Sequence, residues 1–443
     1  MYPNFRIFTL TFLVIFITPA FSQQNSRSPY SLFGVGMLHY DGFADNSANG
    51  RNGVSYRYES NFTFTNTASL SALKNTVFNV GTFMDMGQVR SSTVIKNFSN
   101  AGFNYIALGV PLSKLKSGLA FGLLPFTDFG YNIINSKDSG GVNIRNEFEG
   151  SGGLSKFNIG IGTSFAKYLS FGVNYSYIFG QVNESERRRY PGNRFMTSYA
   201  DHSNLFLKGH HLDLGLQFHT VSDSGLSHNI GVVLSNKTNL KGEQDRFSYT
   251  YTEIFLNDEF IRDTINDEKG KRVDVTLPSS LNLSYTIGKG EKWQATAGYG
   301  KTMWSKYKNV FGDNSGFSDD QSYSLGMFIC PKPVFDKTNK AQGKLAYFKS
   351  IRYSAGFHHS DGYINASNTR ISENGISVGL GFPFTKVHKS PDGNRSIITS
   401  RIFLTGEFIR RGTVKNNLIQ EDFFKITLGL NLADSWFNKR LFN

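Results

Sequence analysis

The second half of the chain runs on a two-residue beat that only a strand with two unlike faces can use. From Val275, one set of alternate positions reads Val275, Leu277, Ser279, Leu281, Leu283, Tyr285 and Ile287, and the other reads Thr276, Pro278, Ser280, Asn282, Ser284, Thr286 and Gly288. The beat returns with Trp293, Ala295, Ala297 and Tyr299 against Gln294, Thr296, Gly298 and Gly300. It returns again over Ile376 to Phe384 and over Phe424 to Leu432. Soluble sandwiches use strands of roughly five or six residues, and these segments are longer. They suit a wall with lipid on one side and water on the other.

Read this way, the chain yields about fourteen strand starts, near Thr76, Phe98, Lys116, Leu154, Tyr168, Leu205, Leu226, Val273, Glu291, Gln321, Ser350, Ile371, Ser396 and Gln420. An even count lets an antiparallel sheet close on itself and leave no unpaired edge in lipid. The fold expected is all-β, a transmembrane antiparallel β-barrel over residues 76–443. Connections alternate in length. Short ones fall at Leu112 to Leu115, around Lys167, at Ser222 to Gly225 and at Lys289-Gly290. Long polar ones fall at Asn135 to Gly153, Asn183 to Asn204 and Lys241 to Arg272. Short turns belong to the periplasmic side and long loops to the outside. Lys332 to Lys349 is a long connection on the short-turn side, and Phe247 to Thr264 reads as a hairpin within the longest outer loop.

Composition agrees. After the first 22 residues no run of about 18 apolar residues remains, so no transmembrane helix is expected. A mean hydropathy of -0.30 would describe a soluble protein, except that alternation hides the apolar half of a barrel strand. The 41 Phe and 21 Tyr suit interface girdles, and the 45 Gly suit a wall that bends and closes. Met1 to Ser22 reads as a signal peptide, with Arg6, the apolar run Ile7 to Ile17 and the small residues Ala20 and Ser22 before a cut at Gln23. Together these address the chain to the outer membrane of a Gram-negative cell. The formal charge of +13 then points to outer-membrane lipid and lipopolysaccharide rather than to nucleic acid. A lone cysteine, Cys330, forms no internal disulfide and is expected to be inert packing.

Residues 23–75 break the beat, being rich in Gly, Asn and Ser with scattered aromatics, and are expected to fold into the lumen as a plug. Asn66-Thr67-Ala68-Ser69-Leu70 precedes the first wall strand, Leu277-Pro278-Ser279-Ser280 is followed by Trp293 and Trp304-Ser305, and strands close the chain at Ile376 to Phe384 and Phe424 to Trp436. These features resemble the FadL-like family of outer-membrane transporters for long-chain fatty acids and other hydrophobic compounds. The resemblance implies fourteen strands, an N-terminal hatch, a monomer and a hydrophobic small-molecule ligand. Asn66, Ala68 and Ser69 stand where the family has its Asn-Pro-Ala hatch motif. Thr67 replaces the proline and Met303 replaces an aspartate of the downstream Asp-Trp-Ser, so hatch rigidity and that polar contact do not carry over.

Proline cannot donate to a strand ladder, so Pro125, between Gly122 and Gly130 in the third strand, marks either a kink or a solvent-side strand end. In the family, an inward kink of the third strand opens the wall sideways. The implied mechanism is passive uptake with lateral exit into the bilayer. It requires an apolar lumen pocket with one or two cations for a carboxylate. Arg187, Arg188, Arg189 and Arg194 are the candidates, either for ligand contact or as a patch facing lipopolysaccharide.

No catalytic residues, cofactor or metal site are expected. His210-His211 and His358-His359 are neighbours on strands and point to opposite faces, and the Gly-x-Gly units lie within strands. A second reading treats the chain as a non-transporting barrel that serves as a binding platform or subunit of a secretion or surface assembly, with a protein partner.

Overall fold

The computed structural model describes residues 28–112, 116–193, 195–253, 259–314, 316–333, 344–389 and 395–435. The signal segment Met1 to Ser22, Arg194, Trp436 and most of the long connection at Lys332 to Lys349 lie outside them; of that connection, a short helix Lys344–Ser350 is described.

Fourteen wall strands follow one another around a closed antiparallel barrel. They are β1 Thr76–Arg90, β2 Ile95–Leu112, β3 Ser117–Ser139, β4 Val142–Ser164, β5 Leu169–Arg189 and β6 Ser198–Val221. Then come β7, in two pieces Ser227–Ser235 and Thr238–Glu253, and β8, in two pieces Glu259–Leu277 and Ser280–Lys289. The circuit finishes with β9 Trp293–Thr302, β10 Asp320–Ile329, β11 Arg352–Ser360, β12 Glu373–Lys389, β13 Arg395–Gly412 and β14 Gln420–Asp434. β14 pairs with β1 from Gln420↔Arg90 to Asp434↔Thr76 without a register shift, which closes the wall.

The alternation sets the faces. In β8, Leu283 and Tyr285 are outward and exposed, whereas Ser284 and Thr286 are buried on the lumen side, both hydrogen-bonded to Ser55 of the segment before the wall, and Thr286 also to Thr296. Ile376, Val378, Leu428 and Leu432 likewise face out. Val275 and Leu277 do not follow their expected outward face. They are buried with Trp304, Tyr307 and Tyr363. The cause is local: β8 is interrupted at Pro278, which has no N–H for the ladder, and β7 is interrupted at Asn236 and Lys237 beside it, so the phase slips across the break.

The long polar connections are also different from expectation. Asn135 to Gly153 is strand almost throughout, turning at Gly140-Gly141, and most of Lys241 to Arg272 is a paired hairpin. Strands β3 to β6 reach 21 to 24 residues, whereas β9 to β11 have 9 or 10. One half of the wall therefore rises well above the other. Above lipid both faces meet water, so these stretches lose the apolar alternation and read as loops.

Inside the wall lies the segment 28–75. Lumen-facing glycines make room for it: a Cβ on Gly172 would stand 2.2 Å from the Ala68 nitrogen, and one on Gly356 would stand 2.0 Å from the Gly50 nitrogen. Glycine here admits the plug's backbone, a role beyond the bending expected of it. The plug's base is an aromatic and aliphatic core of Phe43, Phe62, Phe64, Leu70 and Leu73 against Tyr105, Ala120 and Leu124 of the wall. Phe43 and Phe62 meet edge to face at 5.5 Å.

Candidate functional site

Asn66 locks the plug's lower turn. Its side-chain oxygen accepts from the Ala68 N–H at 3.1 Å and caps the helix Thr67–Ala72, while its amide donates to the Val54 carbonyl at 2.8 Å and the Leu216 carbonyl at 3.3 Å. Ala68 and Ser69 are fully buried beside it. The hatch-motif residues are thus brought together at a contact between plug and wall, and they line no open space.

The third strand is the irregular part of the wall. β2 and β3 pair only from Leu112↔Ser117 to Ile106↔Leu123. Beyond Leu123 comes Pro125, with a bulge at Phe126 in the pairing to β4, and from there β3 parts from β2. Gly122 is still inside the ladder, opposite Ala107 and against the Phe64 ring. The freed edge of β3 is taken up by the plug: Met37 and Leu38 pair with Asp128 and Thr127, the His39 N–H donates to the Phe126 carbonyl at 2.9 Å, and the Ser28 N–H donates to the Gly130 carbonyl at 3.1 Å. Ser31 accepts from the Gly130 N–H and donates to its carbonyl. The first residues of the plug act as a substitute strand where β2 has moved away.

Between the plug and the long-hairpin rim is a cavity of about 470 Å³. Its roof is an aromatic cluster in which Trp304 stacks on Tyr363 at 4.0 Å and Phe317 meets both edge-on. Its walls set charged and polar side chains beside apolar ones. Arg51 of the plug bonds Glu373 at 2.9 Å and Glu407 at 3.1 Å; Arg411 bonds Glu373 at 2.6 Å and Glu421 at 3.0 Å. The two guanidiniums are therefore already committed to carboxylates. The cause is the lumen-facing parity of positions 373, 407, 411 and 421, which alternate with lipid-facing Ile376 and Phe408. His39 bonds Asp128, and Lys156 bonds Asp41, at the same level. Below, burial pushes the Asp45 carboxyl of the plug above the usual range, opposed by hydrogen bonding from Tyr56 and by Arg352.

Arg187, Arg188 and Arg189 are not in a loop. They end β5 on the raised half-wall, where Arg187 pairs with Glu259 at 2.9 Å, Arg188 bonds Asn146 and Arg189 lies 3.6 Å from Glu147. None lines the cavity. The residues that do, Arg51, Arg411 and the three glutamates, escaped the sequence reading because an isolated charge on the water side of a barrel strand is unremarkable. The available signal was several such charges on lumen parity at one level of consecutive strands.

The fourteen-stranded wall and its inserted plug define a class, the plugged antiparallel β-barrels. The chain belongs to the BamG family, whose sequence model matches residues 5–443. No curated protein matches it. Among solved structures it is similar to a FadL homologue of Pseudomonas aeruginosa, at 10% identity over 89% of this chain and 98% of that one, with a TM-score of 0.55. It is also similar to the Pseudomonas putida toluene transporter TodX, at 15% identity over 91% and 100%, TM-score 0.55. A third likeness is to the Ralstonia pickettii toluene transporter TbuX, at 12% identity over 89% and 99%, TM-score 0.54. At these identities the resemblance to FadL-like proteins is one of fold.

Proposed function

We propose that this barrel is an outer-membrane channel for amphipathic small molecules, which enter the lumen cavity and leave sideways between β2 and β3. The observation that carries the reading is the seam. The ladder ends at Ile106↔Leu123, and residues on both sides of the gap, Asn100 and Asn104 of β2 and Asp128 of β3, line the cavity. Two structurally similar proteins are toluene transporters, which supports a channel that handles apolar matter. Gly122, Pro125 and Gly130 would act together in this reading: the first keeps the lower ladder, the second ends it, and the third anchors the plug. Arg187, Arg188 and Arg189 would meet lipopolysaccharide, and the barrel would act as a monomer. Uptake of a fluorescent dodecyl amphiphile into vesicles tests the route. Pro125→Ala, or deletion of residues 23–74, should change the rate several-fold; an unchanged rate in both discards it.

A second reading has its own observation. The hairpin of β7 and β8 stands above the short half of the wall with Phe260, Ile261 and Ile265 exposed, and among the described residues the free side of Glu259–Leu277 carries one bridge, Thr276↔Lys308. Such a surface suits a platform for a protein partner at the cell surface. Extraction in mild detergent separates the readings: a stoichiometric protein favours the platform, and bound lipid-like molecules favour the channel.

A further inference from the structure

Seven carboxylates line the cavity against two guanidiniums and one ammonium, so its described lining is acid-rich within a chain whose formal charge is +13. An anionic head entering this space meets an excess of like charge; the two arginines are bonded to Glu373, Glu407 and Glu421, and the remaining lining cation, Lys425, stands over the Phe83 ring. A second observation is independent of charge. Asn100 and Asn104 on β2 are buried to 6% and 7% exposure, both line the cavity, and neither carboxamide has a hydrogen-bond partner among the described residues. Most side chains around them are paired. Both carboxamides open onto the cavity, and each offers a donor and an acceptor to whatever occupies the space. Both stand beside the gap in the wall, next to the outward-facing Phe103 and Ile106 of the same strand.

Resting on the channel reading above, we infer that the occupant is a single-chain amphiphile with an ammonium head. The head sits among the carboxylates and donates to the Asn100 and Asn104 carbonyl oxygens. The tail passes between β2 and β3 towards Phe103, Ile106, Phe121 and Leu123, which already face lipid. This selects against fatty carboxylates, the reverse of what a pocket with an excess of cations would select.

The test uses the mature barrel in nanodiscs, titrated at pH 7 with dodecylamine, dodecanoate and dodecanol, with empty nanodiscs subtracted. Dodecylamine should bind at least ten-fold more tightly than dodecanoate. Asn100→Leu with Asn104→Leu should weaken dodecylamine at least five-fold, and Asp85→Asn, which keeps shape and removes a charge, should narrow the preference. If that double variant fails to fold, the Asp85→Asn comparison decides alone. Dodecanoate binding as tightly as dodecylamine, or an amine preference untouched by these substitutions, overturns the inference and leaves the channel standing. No binding above empty nanodiscs by any of the three overturns both.

Discussion

The barrel has two seams of unlike construction, and their difference explains its working parts. Where β14 meets β1, every residue from Gln420 to Asp434 finds its partner in strict register. Where β2 meets β3, only Ile106 to Leu112 do. In lipid an unpaired backbone group is expensive, so the closed seam is the default and the released one needs compensation. It receives it from inside: Ser28, Ser31, Met37 and His39 of the plug supply bonds that β2 would have made to β3. The lesson is that plug and gap are one device. A plug without the gap would only obstruct, and a gap without the plug would leave the β3 edge bare.

The comparison is broken most forcefully by a charge placed at one depth on both seams. Leu428 lies opposite Thr82, which lies opposite Phe103, and Leu428 and Phe103 are both exposed outward. Leu428→Arg should destabilise the barrel by about 2–4 kcal/mol, and Phe103→Arg, able to bend its guanidinium into the acidic cavity, by no more than about half as much. Urea titrations of vesicle-folded protein measure both, and equal losses would erase the distinction between the seams.

Smaller substitutions sharpen it. Ser31→Ala leaves the Gly130 N–H without its side-chain acceptor and should cost about 1–3 kcal/mol. Its counterpart on the closed seam, Thr427→Val, should be neutral within about 0.5 kcal/mol, because the buried Thr427 hydroxyl has no partner to lose. Asn66→Ala removes the cap of the plug's lower helix and should cost about 1 kcal/mol, read as earlier thermal loss of the compact gel form. All three act on plug or seam while leaving the lipid-facing wall untouched.

How legible this was in the sequence depends on what surrounded each residue. Strand starts from Thr76 to Gln420 could be read because lipid outside and water inside impose opposite demands on alternate side chains. Above the membrane that contrast vanishes, so Arg187 to Arg189 looked like loop when they are strand. Pro125 left a kink and a solvent-side strand end both open in the sequence, and the pairing of β2 with β3 stops two residues before it, at Ile106↔Leu123. Pro278 sent the same kind of signal in β8, and its consequence for Val275 and Leu277 needed the paired interruption in β7 to be seen. The charge network was out of reach because Arg51 is 322 residues from Glu373 and 356 from Glu407, and Glu373, Glu407 and Arg411 meet only through strand register. Asn100 and Asn104 look like any lumen-facing polar residues until their missing partners are known.

Cross-linking across the seams tests the central claim most directly. In a Cys330→Ser background, cysteines replacing Asn79 and Asn431 face each other across the closed seam, and those replacing Leu108 and Phe121 face each other in the intact part of the open one. Continuing that register would set Gly102 opposite Thr127. Disulfides need Cα atoms within about 7 Å. The first two pairs should oxidise readily in membranes, and the Gly102→Cys, Thr127→Cys pair should stay reduced. A Gly102–Thr127 cross-link forming as fast as the others would mean that the wall is continuous and the account of its released seam is wrong.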